Sequence, residues 1–171
     1  MIVLMAGLPG TGKTTLGREL ATRTSGHLLN KDEIRHTLFR AGEIEYSTRQ
    51  DDFCLQVMLK TAAHLLQQDP SRIIFLDGRT FSRRYQIENV MNAAAALNQN
   101  WRILECVCPD ELVKERLKLQ SIEGLHPAAN RDFQLYFEVK VRFEAIAFPK
   151  TVIDTSEPLE TCVEQALAVL G

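Results

Sequence analysis

Gly7-Leu8-Pro9-Gly10-Thr11-Gly12-Lys13-Thr14 fits the pattern G-x-x-x-x-G-K-[ST] at every fixed position. Glycines at these spacings let the backbone curl until successive N–H groups converge on phosphate oxygens. A helix opening directly after such a loop adds the partial positive charge of its N-terminus. Lys13 is placed to reach β- and γ-phosphates, and the Thr14 hydroxyl is the expected ligand of a magnesium ion; Thr15 adds an α-phosphate contact. The ligand implied is ATP with Mg2+, held by residues 7–15.

Further side chains gather at the same edge. Asp77 ends the apolar run Ile73-Ile74-Phe75-Leu76, which puts an acid where open α/β sheets bind ligands. It could hold magnesium through water or orient Thr14. Asn30-Lys31-Asp32-Glu33-Ile34-Arg35 follows another short apolar run. A carboxylate at Asp32 can accept the proton of an attacking hydroxyl, or cap a helix beginning at Glu33. Arg35 lies three residues on, on the same side of a short helix, suited to an anionic or polar acceptor. Arg79, Arg83 and Arg84 form a small basic cluster that suits a phosphate-bearing acceptor or the exposed start of a helix.

These residues need a parallel sheet to bring them together. Short apolar runs alternate with helical patterns, as in a sheet covered on both sides. Strands are expected at 2–6, 27–30, 72–77, 101–108 and 151–154, giving a doubly wound, five-stranded parallel sheet. Helices are expected from Lys13 and from Ser47, the second with an apolar line of Phe53, Val57, Met58, Thr61 and Leu65. Ser82 is expected to cap a third, with Ile87, Val90, Met91, Ala94 and Leu97 on one face. A last helix carries Leu159, Cys162, Val163, Ala166, Leu167 and Leu170, with Pro158 near its start. Residues 121–130, with Gly124, His126 and Pro127, read as a connection that could close over a ligand.

The length of 171 residues fits one domain, 1–171, with a short lid at about 116–131. A net charge of −2 gives no general pull toward nucleic acid or anionic membrane. The opening apolar run is too short to span a bilayer and enters a glycine-rich loop, so it reads as a buried strand, with a cytoplasmic location as the default. Cys106 and Cys108 alternate and should share a strand face as reduced core thiols, with Cys54 and Cys162 on apolar helix faces. No disulfide or metal cluster is indicated by the four cysteines.

Three chemistries of such loops compete. A GTPase switch needs N-K-x-D late in the chain and D-x-x-G, whereas here Gly78 follows Asp77 at once. An ATP-driven machine usually carries a glutamate beside the strand-end aspartate, and Gly78 stands there. A kinase uses more of the residues.

The chain resembles the small P-loop kinases that include the 5′-kinase domain of polynucleotide kinases, zeta toxins and chloramphenicol phosphotransferase. The likeness rests on residues 7–15, Asn30 to Arg35, Asp77-Gly78-Arg79, residues 109–120, Phe143-Glu144 and Val152-Ile153-Asp154-Thr155. It implies a nucleoside-kinase-like fold, Asp32 as general base, Arg35 at the acceptor, and lid arginines on the ATP phosphates. Arg116 is the best match for one of these. Lys118 and Gln120 stand where many relatives have a second, so Arg131 is the expected substitute. The reading is a monomeric or weakly dimeric kinase that moves the γ-phosphoryl of Mg-ATP to a hydroxyl. The acceptor is a small molecule, slightly favoured, or a nucleic-acid 5′ end. Its rival is a module that binds or slowly hydrolyses ATP and has no acceptor.

Overall fold

The computed structural model describes residues 1–123 and 133–171, with the side chains of 120–123 left aside. The elements run β1 (Ile2–Ala6), α1 (Lys13–Arg23), β2 (His27–Asn30), α2 (Lys31–Leu38), α3 (Thr48–Gln68), β3 (Ile74–Asp77), α4 (Arg84–Ala96), β4 (Trp101–Val107), α5 (Asp110–Glu123), α6 (Phe133–Val141), β5 (Thr151–Asp154) and α7 (Leu159–Leu167). A 3-10 turn, Ala41–Glu43, sits between α2 and α3.

The sheet is five-stranded, ordered β2-β3-β1-β4-β5, and every pairing is parallel. Parallel strands need crossovers, and crossovers put helices on the faces, so the central strands must be apolar throughout. All five residues of β1 are 0% exposed, which is why its sequence reads as a run rather than an alternation. Alternate residues face two cores. Ile2, Leu4, Ile74 and Leu76 pack with Leu55, Met58 and Ala62 of α3 and Ile87 and Val90 of α4. Val3, Met5, Phe75, Leu104 and Ile153 pack with Leu16 and Leu20 of α1 and Cys162, Val163 and Ala166 of α7. The sheet is doubly wound, as expected, with helices on both faces.

Several local expectations are corrected. β3 starts at Ile74 rather than residue 72, and β4 ends at Val107 rather than 108. On α3 the buried line is Cys54, Leu55, Met58, Ala62 and Leu66, while Phe53 is 48% exposed and lies edge-on to Phe39 at 5.8 Å. Aliphatic residues flank both edges of that stripe, so the periodicity admitted a frame rotated by about one residue. Ser47 does cap α3, accepting from the Gln50 N–H at 3.2 Å. The Gln50 side chain instead accepts from Glu45 N at 2.8 Å and donates to the Glu43 carbonyl at 3.0 Å, pinning the preceding turn. Ser82 does not cap α4; its hydroxyl meets Thr80 Oγ1 at 3.2 Å, and the helix begins two residues later. Cys108 lies past the end of β4, half-buried against Val113, Leu117 and Tyr136, while Cys106 stays in the sheet core. All four cysteines are free. Among the described residues, no helix is long and apolar enough to cross a membrane.

Candidate active site

The carboxyl ends of β1, β2 and β3 carry the loop, Asn30 and Asp77 to one edge. Gly7 leaves β1 at φ 127°, and a Cβ there would lie 2.3 Å from the Cys106 carbonyl oxygen, so the loop can run against β4 only with glycine at this position. Gly12 is the N-cap of α1 in the left-handed region (φ 79°), with no side-chain cap. The first N–H groups of α1 are therefore left for an outside acceptor, which is what an anion site requires. Lys13 is nearly buried and its Nζ donates to the Leu8 carbonyl at 2.6 Å, folding back along the loop.

Asn30 and Asp77 are direct neighbours in the β2–β3 register. Asn30 Nδ2 donates to Asp77 Oδ2 at 2.7 Å, and Thr14 Oγ1 donates to the same oxygen at 2.7 Å. The other oxygen, Asp77 Oδ1, is buried with no hydrogen-bond partner. An unmet carboxylate oxygen beside a P-loop hydroxyl fits a hydrated magnesium ion, which typically takes one or two protein oxygens and keeps its waters. Among the described residues no group of three or more His, Cys, Asp or Glu could hold a metal, and a site of this kind does not need one.

Asn30 also caps the helix that carries its neighbour Asp32. Its Oδ1 accepts from the N–H groups of Asp32 and Glu33 at 2.9 and 3.2 Å, so Asn30, not Asp32, is the N-cap of α2. The helix begins at Lys31, and the Asp32 carboxylate sits in its first turn. Arg35 Nη1 donates to Asp32 Oδ1 at 2.8 Å, and Lys31 Nζ stands 3.5 Å from the same oxygen. Arg35 Nη2 and Lys31 Nζ both meet Asp51 Oδ1, the latter at 2.7 Å. Arg35 is 1% exposed and its guanidinium lies 5.3 Å from the centre of the Tyr46 ring. Its charge is thus directed at two carboxylates.

Arg79 is also buried. Its Nη2 donates to Asp52 Oδ1 at 2.6 Å and to the Tyr85 hydroxyl at 3.2 Å. Arg84 turns away from the site, exposed and paired with Glu88 at 2.6 Å. Arg116, on α5, reaches the loop: its Nη1 donates to Thr155 Oγ1 at 3.1 Å and its Nη2 to the Thr155 carbonyl at 2.6 Å. Thr155 Oγ1 in turn donates to the Thr11 carbonyl at 2.9 Å. Arg131 and residues 124–130 of the expected flap lie outside the described residues; residues 121–123 complete α5.

Two of the cavities that border the loop among the described residues lie on either side of it. One, about 350 Å³, is lined by Gly10, Gly12, Thr15, Arg116, Leu119 and Thr155 among others. The other, about 250 Å³, lies across Pro9 and Lys13 and contains Asp32, Arg35, Asp51 and Arg79 in its wall. Lys13 lines the second of these.

Sequence reasoning missed Asp51, Asp52, Asn30 as a clasp and Thr155 as a hub. Asp51-Asp52 in the opening turns of α3 was the available signal, but their partners lie 16 to 33 residues away.

A family model described as an AAA domain matches residues 2–136. The chain belongs to that family. No curated protein matches it. Solved structures share the whole architecture. A candidate kinase from Chloroflexus aurantiacus superposes with a TM-score of 0.76 at 22% identity, covering 98% of this chain and 96% of that one. A sugar kinase from Janibacter gives 0.72 at 19%, covering 99% and 93%. The APS kinase of Mycobacterium tuberculosis, in complex with AMPPNP and APS, gives 0.69 at 14%, covering 99% and 96%. At these identities the likeness establishes the fold: this AAA-domain chain has the fold of small-molecule kinases.

Proposed function

We propose that the chain is a Mg-ATP-dependent kinase that phosphorylates a hydroxyl, on a small molecule or a nucleic-acid 5′ end. The observation that carries this reading is Asp32. Its carboxylate is relieved of capping by Asn30, oriented by Arg35, and set in the wall of a cavity that also contains Lys13. A pure ATP switch has no use for an oriented carboxylate in a second cavity. The kinase names among the structural neighbours agree with it, as does the resemblance to the 5′-kinase domain of polynucleotide kinases, zeta toxins and chloramphenicol phosphotransferase.

In this account residues 1–171 act as one domain with α5 as the first arm of the lid. Gly7, Leu8, Pro9, Gly10, Thr11, Gly12, Lys13, Thr14 and Thr15 cradle the phosphates. Thr14 and Asp77 would hold magnesium, which neutralises phosphate charge when bound. The acceptor hydroxyl attacks the γ-phosphorus, the bond to the β-bridging oxygen breaks with its electron pair leaving on ADP, and the hydroxyl proton passes to Asp32. Arg116 exchanges Thr155 for phosphate oxygens and offsets charge in the transition state. Arg35 positions Asp32 at least as much as it positions the acceptor, because both its terminal nitrogens are already engaged.

The second reading is an ATP-binding or ATP-hydrolysing switch module without an acceptor. The Thr155 hub favours it, since a link from Arg116 to Thr11 could relay the state of the nucleotide. Acceptor-dependent ADP release separates the two. The kinase reading requires that Asp32→Asn reduce that release roughly 10²-fold or more while sparing ATP binding; a variant with full ADP release and no acceptor dependence would favour the switch.

A further inference from the structure

Resting on the kinase reading, we infer that the acceptor is a small polyhydroxy compound bearing an anionic group, a carboxylate or a phosphate, seated between Arg83 and Arg142. The charge balance of the second cavity leads there. Six cationic side chains line it: Lys13, Lys31, Arg35, Arg79, Arg83 and Arg142. Against them stand Asp32 and Asp51 in the wall and Asp52 behind Arg79. With Lys13 given to the nucleotide, five cations still face three carboxylates.

The surplus is localised. Lys31 and Arg35 are paired with Asp32 and Asp51. Arg83 has no carboxylate partner among the described residues, and Arg142 only donates its Nε to the Glu138 carbonyl at 3.0 Å. In the same wall, Arg79 is 6% exposed and its Nε and Nη1 have no hydrogen-bond partner. Those two nitrogens are sealed from water, so they are not the contact atoms. The Arg79 charge itself is matched by Asp52, which leaves the surplus on Arg83 and Arg142. Arg83 and Arg142 are exposed and able to form the charge-assisted contacts.

The rest of the wall fits hydroxyls. Thr48, Thr80, Ser82 and Gln86 supply neutral donors and acceptors. The cavity, about 250 Å³ in volume, has room for a small polyhydroxy compound beside the P-loop.

The test uses the full chain with the P-loop filled by Mg-AMPPNP, so that anions cannot occupy the phosphate site. Calorimetric titration compares a six-carbon sugar acid, a six-carbon sugar phosphate and the uncharged polyol of the same length. A companion assay follows label transfer from Mg-ATP to the same compounds and to a 5′-hydroxyl oligonucleotide. The inference expects at least one anionic compound to bind ten-fold or more tightly than the polyol. It expects R83Q/R142Q to remove that preference, raising acceptor KM ten-fold or more with a smaller change in kcat. R84Q, outside the cavity, should change neither. The two anionic arms tell a carboxylate from a phosphate ester. Equal binding of polyol and anions, an unaltered preference in R83Q/R142Q, or label in the oligonucleotide alone would overturn it. Anion-selective binding without any transfer would sustain the subsite while refuting the kinase reading.

Discussion

Thr14 and Asp77 meet at 2.7 Å, a P-loop hydroxyl donating to one oxygen of a strand-end carboxylate whose other oxygen has no partner. The contact spans 63 residues of sequence and joins the start of α1 to the end of β3. It depends on parallel pairing, because only when β1 and β3 run the same way do the P-loop and Asp77 come to the same sheet edge. The arrangement leaves a half-satisfied buried acid at the point where phosphate-bound magnesium would sit.

Asp77→Asn keeps the shape and removes the charge. The magnesium concentration for half-maximal activity should rise about ten-fold, since a bound cation then loses one of its few anionic partners. Thermal stability should fall only slightly. Magnesium titration of ADP release checks this; an unchanged midpoint would make Asp77 a clasp for Thr14 and nothing more.

Arg116 offers a second handle. Its two bonds to Thr155 hold it 3.5 Å from the space a Gly12 Cβ would occupy, beside the P-loop. Arg116→Ala should lower kcat by roughly 10²-fold or more with a smaller change in KM for ATP. Thr155→Val should cost ~1–3 kcal/mol of stability, because the buried hydroxyl serves both Arg116 and the Thr11 carbonyl. Steady-state kinetics and thermal melts read the two effects separately. A normal kcat in Arg116→Ala would remove the residue from the mechanism.

Gly7→Ala tests the backbone. The added methyl meets the Cys106 carbonyl oxygen at 2.3 Å, and φ 127° strains any L residue. The loop must move off β4, at a cost of about 3 kcal/mol or more. A clear drop in Tm and loss of nucleotide binding are expected; a wild-type melt would mean the loop has slack that this geometry denies.

The cysteines provide a pH signature. Burial raises the Cys108 thiol above its ordinary value, with nearby Arg116 pulling the other way, and burial pushes Cys106 up to about 12. A raised value means less thiolate at any given pH. Iodoacetamide should label half-buried Cys108 first, more slowly than a free thiol at pH 8 and with a rate still climbing above pH 9. Cys54, Cys106 and Cys162, all buried, should remain unlabelled in the folded protein. Peptide mapping reads the order; early labelling of Cys106 would contradict the sheet placement.

The phosphate loop and the five strands were legible because each is written locally: a fixed motif in one case, uninterrupted apolar runs in the other. Asp32 and Arg35 were legible as a pair three residues apart on one helix. The rest depended on distance. Asp51 earns its place from Arg35 and Lys31, 16 and 20 residues away, and Thr155 from Thr11, 144 residues away. Asn30 looked like a strand end, yet its amide both caps α2 and clasps Asp77, two roles visible only once β2 and β3 are in register. The face of α3 was misjudged because Phe53 is large and apolar, whereas the buried line takes in the smaller Cys54 and Ala62 and leaves Phe53 half exposed against Phe39.

The most direct test of the central claim is label transfer from γ-labelled Mg-ATP to a panel of hydroxyl acceptors, run with the wild-type chain and with Lys13→Ala. The account predicts a labelled acceptor with the wild type, and a loss of at least ~10²-fold with Lys13→Ala, since the proposed mechanism makes Lys13 the cation on the transferring group. Label appearing only as free phosphate across the whole panel, or undiminished transfer by Lys13→Ala, would contradict it.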